Sequence, residues 1–161
     1  MICVTLDSRQ WEQAVEVGLR RQESAVHKGL KDTHGLDVDS EEGGQLHVFG
    51  AAAEIASAMA LNEKWEGDVD TFKRKPDVPP CWDIRRRSKW KYDMLVRKGD
   101  PMGRKMVHVV GTDRQYAVVG YLPVEECKNQ QWLRNYGGRS ETFFVPIRSL
   151  VPLGKSLFYP D

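Results

Sequence analysis

The stretch 48–61, VFGAAAEIASAMAL, is the part of the chain from which the fold can be worked out. It contains a single charge, Glu54, among alanines and larger apolar residues. A segment this apolar predicts a helix that is buried on most of its surface. Glu54 shares a stripe of that helix with Ala51, Ala58 and Leu61. A buried carboxylate is costly unless it meets a cation, a metal ion or a hydrogen-bond donor, so its partner is the first question.

Length and composition indicate one globular domain. The chain has 161 residues, is 40% hydrophobic and carries a formal net charge of +1. Any affinity for nucleic acid must therefore come from local basic clusters. The three cysteines, Cys3, Cys81 and Cys127, form no CxxC pair, which argues against a disulfide framework or a cysteine-rich zinc site. No signal peptide or membrane-spanning run is seen. We expect a soluble cytoplasmic protein without a membrane partner.

The flanking sequence predicts an α+β domain. A helix is expected over 8–31, capped by Ser8, followed by a polar loop over 32–45. After the buried helix, strands are expected at 69–72, 82–87, 94–98, 106–110, 116–122 and 142–145, with a short helix from Pro123 towards Trp132 and an apolar turn at 150–153. These elements predict a mixed β-sheet flanked by helices, in a three-layer-like arrangement. We divide the single domain 1–161 into an N-terminal helix and acidic loop (1–46), a core (47–153) and a tail (154–161).

The exposed side of the first helix is expected to carry ordinary solvated charges. They are Arg9, Glu12, Glu16, Arg20, Arg21 and Glu23.

Acidic and basic side chains are expected to converge beside the strand at 82–87. Alternation places Asp83, Arg85 and Arg87 on one face of that strand. Asp77 precedes a bend at residues 79–80 that can turn its carboxylate back towards the same face. With Glu54 on the buried helix, three acids and an arginine can meet at one site.

This order of residues resembles the PD-(D/E)xK nucleases, which have the restriction-endonuclease-like fold. The matching residues are Glu54 on the helix, the pair Pro76-Asp77, and the acid-x-base run Asp83-Ile84-Arg85. More closely, the chain is similar to a group of phage and prophage proteins. That similarity covers residues 48 to about 152, and its segments are GAAAEIASAMALNEKW, VDTFKRKPDV, LVRKGDP, VVGY and FFVP.

The resemblance implies a phage-encoded nuclease that hydrolyses phosphodiester bonds of DNA in the host cytoplasm, with homodimerisation possible. Asp77 and Asp83, with the carbonyl of Ile84, would ligate Mg²⁺ or Mn²⁺. Glu54 would ligate directly or through water. The cation would lower the pKa of a bound water and neutralise the scissile phosphate. Arg85 would position the attacking water or the phosphate.

The chain departs from the family pattern in two respects. Arg85 occupies the position of the motif lysine, and the interval between Asp77 and Asp83 is short. Arginine stays protonated at any relevant pH, so Arg85 cannot act as a general base. It can still hold a phosphate or stabilise charge that develops in the transition state. Lys89 or Lys91 is an alternative source of the missing lysine.

Basic residues are concentrated between positions 73 and 105, where the acids are only Asp77, Asp83, Asp93 and Asp100. Such a local excess suits contacts with a phosphate backbone. Trp82 and Trp90 can either stack on bases or pack within the protein. The residues predicted to bind nucleic acid are Lys73, Arg74, Lys75, Arg86, Arg87, Lys89 and Lys91.

Each acid also has a purely structural interpretation. Glu54 can form a buried salt bridge with an arginine, Asp77 can be a turn residue beside prolines, and Asp83 with Arg85 can be a solvated strand face. Asp70 is an alternative to Asp77, and the four histidines show no metal-ligand spacing. Two other functions remain open, which are a catalytically inactive nucleic-acid-binding relic of the same fold and a phage interaction or inhibitor protein.

Overall fold

The computed structural model describes residues 1–29, 41–69, 74–136, 138 and 140–154. Two long helices, α1 (Ser8–His27) and α2 (Glu41–Leu61), pack against each other, and a single-turn helix α3 (Val124–Cys127) follows much later. The N-cap of α1 is Asp7 and not Ser8. The Asp7 side chain accepts a hydrogen bond from the Gln10 amide, and the Gln10 side chain accepts one from the Asp7 amide. This capping box satisfies two donors at the start of the helix.

Helix α2 begins seven residues earlier than the apolar run. The predicted loop over 32–45 is therefore wrong for residues 41–45, which are helical. Gly43 and Gly44 suggested a turn, yet both are buried. A Cβ atom on Gly44 would collide with the side chain of Gln22 on α1. Gly44 packs against α1 through Gln22, and tertiary packing outweighs the low helix propensity of the two glycines.

The main sheet contains five strands and is mixed. Its order is β1 (Ile2–Thr5), β5 (Gln115–Pro123), β4 (Lys105–Thr112) and β2 (Trp82–Arg87), and β8 (Val151–Pro152) also pairs with β5. Strand β2 runs parallel to β4, whereas the other pairs are antiparallel. Strand β2 therefore lies at an edge of the sheet.

A second, three-stranded sheet has the order β3 (Met94–Arg97), β7 (Thr142–Val145) and β6 (Leu133–Arg134). Short 3₁₀ turns at Gln130–Trp132 and Ile147–Ser149 connect its strands with the main sheet. The β4–β5 hairpin, β2, β3 and β7 lie where the sequence predicted strands. The sequence did not predict β1, β6 or β8.

The main sheet is covered differently on its two faces. Alanines of α2, Ala14 and Val17 of α1, and alternate strand residues such as Val107 and Val109 form one core. Residues such as Met106 and Val119 point to the other face, where they pack with the second sheet and α3. The prediction of an α+β fold around a mixed sheet is confirmed, with both long helices on the same face.

The predicted strand at 69–72 lies outside the described residues except for Val69, which is in a bend. Asp70 and Lys73 also lie outside them.

Candidate acidic site at the edge of the main sheet

A tight turn before β2 brings Asp77 beside Asp83. Val78 and Trp82 exchange two backbone hydrogen bonds of 3.0 Å across residues 79–81. The Asp77 amide donates to Asp83 Oδ1 at 3.4 Å, and the Ile84 amide donates to Asp77 Oδ2 at 2.7 Å. Since β2 is an edge strand, Asp77 satisfies a backbone donor that no neighbouring strand can reach.

The two aspartates and Glu54 form one electrostatic cluster. Burial and the charge of Glu54 raise the pKa of Asp77 to about 6, although the Ile84 hydrogen bond and the charges of Arg85 and Arg21 oppose the shift. Burial and the charge of Asp77 likewise raise the pKa of Asp83. Like charges held close together in a poorly solvated place disfavour ionisation. A cation among them would be favoured for the same reason.

Glu54 forms a buried salt bridge with an arginine, which is the structural interpretation given for it from the sequence. Arg21 donates to both carboxylate oxygens, at 2.6 and 2.9 Å, and the Trp65 indole donates to Oε2 at 2.9 Å. Glu54 is only 6% exposed, and these bonds offset the cost of its desolvation. The role of Glu54 as a metal ligand stays a prediction.

Arg21 was predicted to be a solvated residue, and this is wrong. Its side chain is mostly buried, and besides Glu54 it donates to the Asp68 carbonyl at 2.9 and 2.7 Å. Thus Arg21 joins α1, α2 and the segment after α2 at one point.

The guanidinium of Arg85 is held by Asp100 from the turn after β3. The two side chains form an ion pair of 2.9 Å, and Arg85 Nη1 also donates to the Ile84 carbonyl at 3.1 Å. Asp100 is nearly inaccessible and also accepts from the Arg97 amide at 2.8 Å. The charge of Arg85 still acts on Asp77 and Asp83.

Arg104 is a residue of the site that sequence reasoning missed. It lies just before β4, and its Nη1 donates to Asp83 Oδ1 at 3.1 Å, while Nη2 donates to the Arg74 carbonyl at 3.3 Å. Its contact follows from the parallel pairing of β2 with β4, in which Trp82 lies opposite Lys105. No local pattern near position 104 indicates that pairing.

The donor set suits a hard cation held by two carboxylates. Among the described residues, Asp77 Oδ1 and Asp83 Oδ2 accept no hydrogen bond, whereas both oxygens of Glu54 do. Within the same residues, no three His, Cys, Asp or Glu side chains are grouped as a metal site. Mg²⁺ is often bound by one or two carboxylates together with waters and substrate phosphate, so Asp77 and Asp83 fit that mode.

The residues predicted to bind nucleic acid differ in their surroundings. Arg74, Lys75, Lys89 and Lys91 are exposed. Lys75 lies within ion-pair distance of Asp68 and Glu66, at 3.5 and 3.7 Å.

Arg86 and Arg87 are half-buried and pack on aromatic rings. Arg86 donates to the Gly111 carbonyl at 2.8 Å and lies 4.8 Å from the centre of the Phe49 ring. Arg87 lies 4.7 Å from the Tyr92 ring. Such contacts hold a guanidinium in place without removing its charge.

The two tryptophans of this segment have different environments. The Trp82 ring meets Tyr121 edge-on at 5.3 Å and lies 4.8 Å from the Lys105 ammonium, so it packs within the protein. Trp90 is 47% exposed.

Among the described residues, no helix is long and apolar enough to cross a bilayer. No protein-family model matches the chain, and no curated protein or solved structure is significantly similar to it.

Proposed function

We propose that the protein is a metal-dependent nuclease that hydrolyses phosphodiester bonds of DNA, built on a restriction-endonuclease-like core and related to phage proteins. The observation that carries the proposal is the Asp77–Asp83 pair at the edge of β2. Each of these carboxylates keeps one oxygen without a hydrogen bond among the described residues. Burial raises the pKa of both, helped by the charge of Glu54 at Asp77 and by the charge of Asp77 at Asp83. Perturbed acids in a partly buried cluster are typical of functional sites.

Asp77 and Asp83 would hold Mg²⁺ or Mn²⁺. A bound cation of this kind lowers the pKa of a water ligand and neutralises phosphate charge. The Asp77 carboxylate is kept in position by the Ile84 amide, and Asp83 by Arg104. The ion pair of Glu54 with Arg21 joins α1 to α2, and the charge of Glu54 raises the pKa of Asp77 while that of Arg21 opposes the shift.

Arginines around the site supply positive charge for a phosphate. Arg104 contacts Asp83 directly, and Arg85 acts on both aspartates from its place beside Asp100. Neither can accept a proton from water, because arginine remains charged at neutral pH. Their role would be to bind the phosphate and stabilise its developing charge. The exposed side chains of Arg74, Lys89 and Lys91 would contact neighbouring phosphates.

A second function, nucleic-acid binding without cleavage, is supported by the ion pairs themselves. Glu54, Asp83 and Asp100 are each paired with an arginine, at 2.6, 3.1 and 2.9 Å. An acidic site that is largely neutralised from within has less need of a metal ion, and Arg85 replaces the lysine of the family motif.

A cleavage panel tests the proposal. Purified protein is incubated with single-stranded and double-stranded DNA and RNA, in Mg²⁺, Mn²⁺ or a chelator. Asp77→Ala and Asp83→Asn are compared with Asp93→Asn, an acid outside the site. We expect metal-dependent cleavage by the wild type and by Asp93→Asn alone. Cleavage that persists in both site variants excludes this site, and binding without cleavage in every metal supports the second function.

A further inference from the structure

A cleft lies at the opposite end of the main sheet from the acidic site. It follows the last residue of β2 and borders the turn between β4 and β5, and it is open to solvent with a volume of about 740 Å³. Its lining includes Trp11, Ser88, Trp90 and Arg114, together with β1 and the facing parts of β4 and β5. A volume of this size is ordinary for a small-molecule or nucleotide site.

Trp90 is an exposed aromatic wall of this cleft. It lies in the turn between β2 and β3 and is 47% exposed. Lys89 and Lys91 on either side of it are exposed as well. An accessible indole flanked in the sequence by two exposed lysines provides both a stacking surface and charges for phosphates, which is the combination that binds single-stranded nucleic acid.

Arg114 adds a further cation to the lining of the cleft. The Arg114 guanidinium lies 6.0 Å from the Trp11 ring, and its Nη1 lies 3.4 Å from the Ser8 hydroxyl. Among the described residues that line the cleft, the only acid is Asp113. Lys89 and Lys91, which flank Trp90 in the sequence, are exposed, so the charge carried by this segment and by Arg114 favours an anionic ligand.

We propose that this cleft binds an unpaired base of a DNA strand, stacked on Trp90, while Lys89 and Lys91 contact the adjoining phosphates. The inference rests on the proposed function for the nucleic-acid class of its ligand. Asp83 and Arg87 are four residues apart on β2, roughly 13 Å. One strand can therefore reach from the acidic site to the cleft. Bases inside a duplex are already stacked, so the cleft selects single-stranded ends or gaps.

Binding in the presence of a chelator tests this without cleavage. Fluorescence anisotropy measures the affinity for a short labelled single-stranded DNA, for a blunt duplex of the same length and for heparin. The variants are Trp90→Ala, Trp90→Phe and, as a matched control, Tyr136→Ala, which removes an exposed aromatic from another surface. Thermal denaturation establishes that each variant is folded.

We expect Trp90→Ala to weaken single-strand binding about tenfold, at the lower end of the effect of one base–aromatic stack. Trp90→Phe and Tyr136→Ala should stay near the wild-type affinity, and heparin binding should not change. Equal single-strand affinity for wild type and Trp90→Ala overturns the inference, and so does a loss that is the same for heparin. If binding depends on Trp90 but the protein does not cut DNA, the proposed role of the cleft is supported and the nuclease function is excluded. Cleavage that depends on Asp77 but not on Trp90 supports the nuclease and excludes a role of the cleft in binding DNA.

Discussion

The three arginines that form ion pairs in and around the site come from different parts of the chain. Arg21 of α1 pairs with Glu54, Arg85 of β2 with Asp100, and Arg104 with Asp83. Among the described residues, Asp77 has no ion pair, and its pKa is raised to about 6. Asp77 is therefore the acid that gains most from an added cation, which is why the proposed metal site is centred on it.

Replacing Arg85 tests how firmly its ion pair is built into the protein. Arg85→Ala leaves the nearly inaccessible carboxylate of Asp100 without its guanidinium. An uncompensated buried charge of this kind costs about 3 kcal/mol, so the free energy of unfolding in urea should fall by that order. The double variant Arg85→Ala, Asp100→Asn should regain part of the loss. A decrease below about 1 kcal/mol, within the range of surface pairs, would contradict the buried ion pair.

His108 should make the stability depend on pH. The imidazole is fully buried on β4, and burial together with the charge of Arg87 lowers the pKa to about 4 from its ordinary value of 6.5. Between these values the unfolded chain binds more protons, so stability falls as the pH falls from 6.5 towards 4. Asp77, with its pKa raised to about 6, acts in the opposite direction, because its contribution is lost as the pH rises.

Comparing the wild type with His108→Gln isolates the histidine, since both proteins retain Asp77. Between pH 7 and 4 the wild type should lose on the order of 2–3 kcal/mol relative to the variant. Urea denaturation at several pH values measures this difference. A difference that does not vary with pH would mean that His108 is not held neutral in the folded protein.

At the level of elements, the contact between α1 and α2 depends on Gly18. A Cβ atom there would lie 2.5 and 2.6 Å from the Cα and N atoms of Val48. Gly18→Ala should therefore destabilise the protein by about 2 kcal/mol despite its better helix propensity, because two backbones must move apart.

Gly50 is the matched control in α2, since a Cβ atom there meets nothing within 4 Å. Gly50→Ala should leave stability unchanged or raise it by up to about 1 kcal/mol. Thermal denaturation of the two variants side by side compares them. Equal effects of the two substitutions would disprove the close helix contact.

The elements that could be predicted from sequence are those whose own residues show a clear hydrophobic pattern. Strands β4 and β5 are long and rich in valine, and the charge of Glu54 is conspicuous in an apolar run. The start of α2 could not be predicted, because its glycines are helical only through packing against α1. Strand β1 could not be predicted, because it is short and depends on pairing with β5.

The same distinction applies to the site. The order of Glu54, Asp77 and Asp83 is visible in the sequence, and the bend before β2 explains how two of them meet. The partners Arg21 and Arg104 come from distant positions, and only the helix pairing and the parallel β2–β4 pairing select them from the other arginines.

At the scale of the whole molecule, a cation bound at Asp77 and Asp83 should stabilise the fold. A ligand that binds only the folded state adds about 2.7 kcal/mol at a concentration one hundred times its Kd. Mg²⁺ or Mn²⁺ should therefore raise the melting temperature of the wild type in differential scanning fluorimetry and leave that of Asp77→Asn unchanged. An equal rise in both proteins would indicate that the ions bind elsewhere.

The molecule places its proposed functions at the two ends of one strand. The acidic pair precedes and begins β2, and the cleft with Trp90 follows its last residue. One edge of the main sheet would thus carry both the proposed cleavage site and the proposed binding site for a DNA strand.

The rate at which the purified protein nicks supercoiled plasmid DNA in Mn²⁺ tests the central claim most directly. The wild type and Asp93→Asn should nick the plasmid, and a chelator should stop both. Asp77→Ala and Asp83→Asn, each shown to be folded, should reduce the rate to that of a protein-free sample. The account is contradicted if the wild type leaves both the plasmid and single-stranded DNA intact in every metal, or if the two site variants cut the plasmid as fast as the wild type.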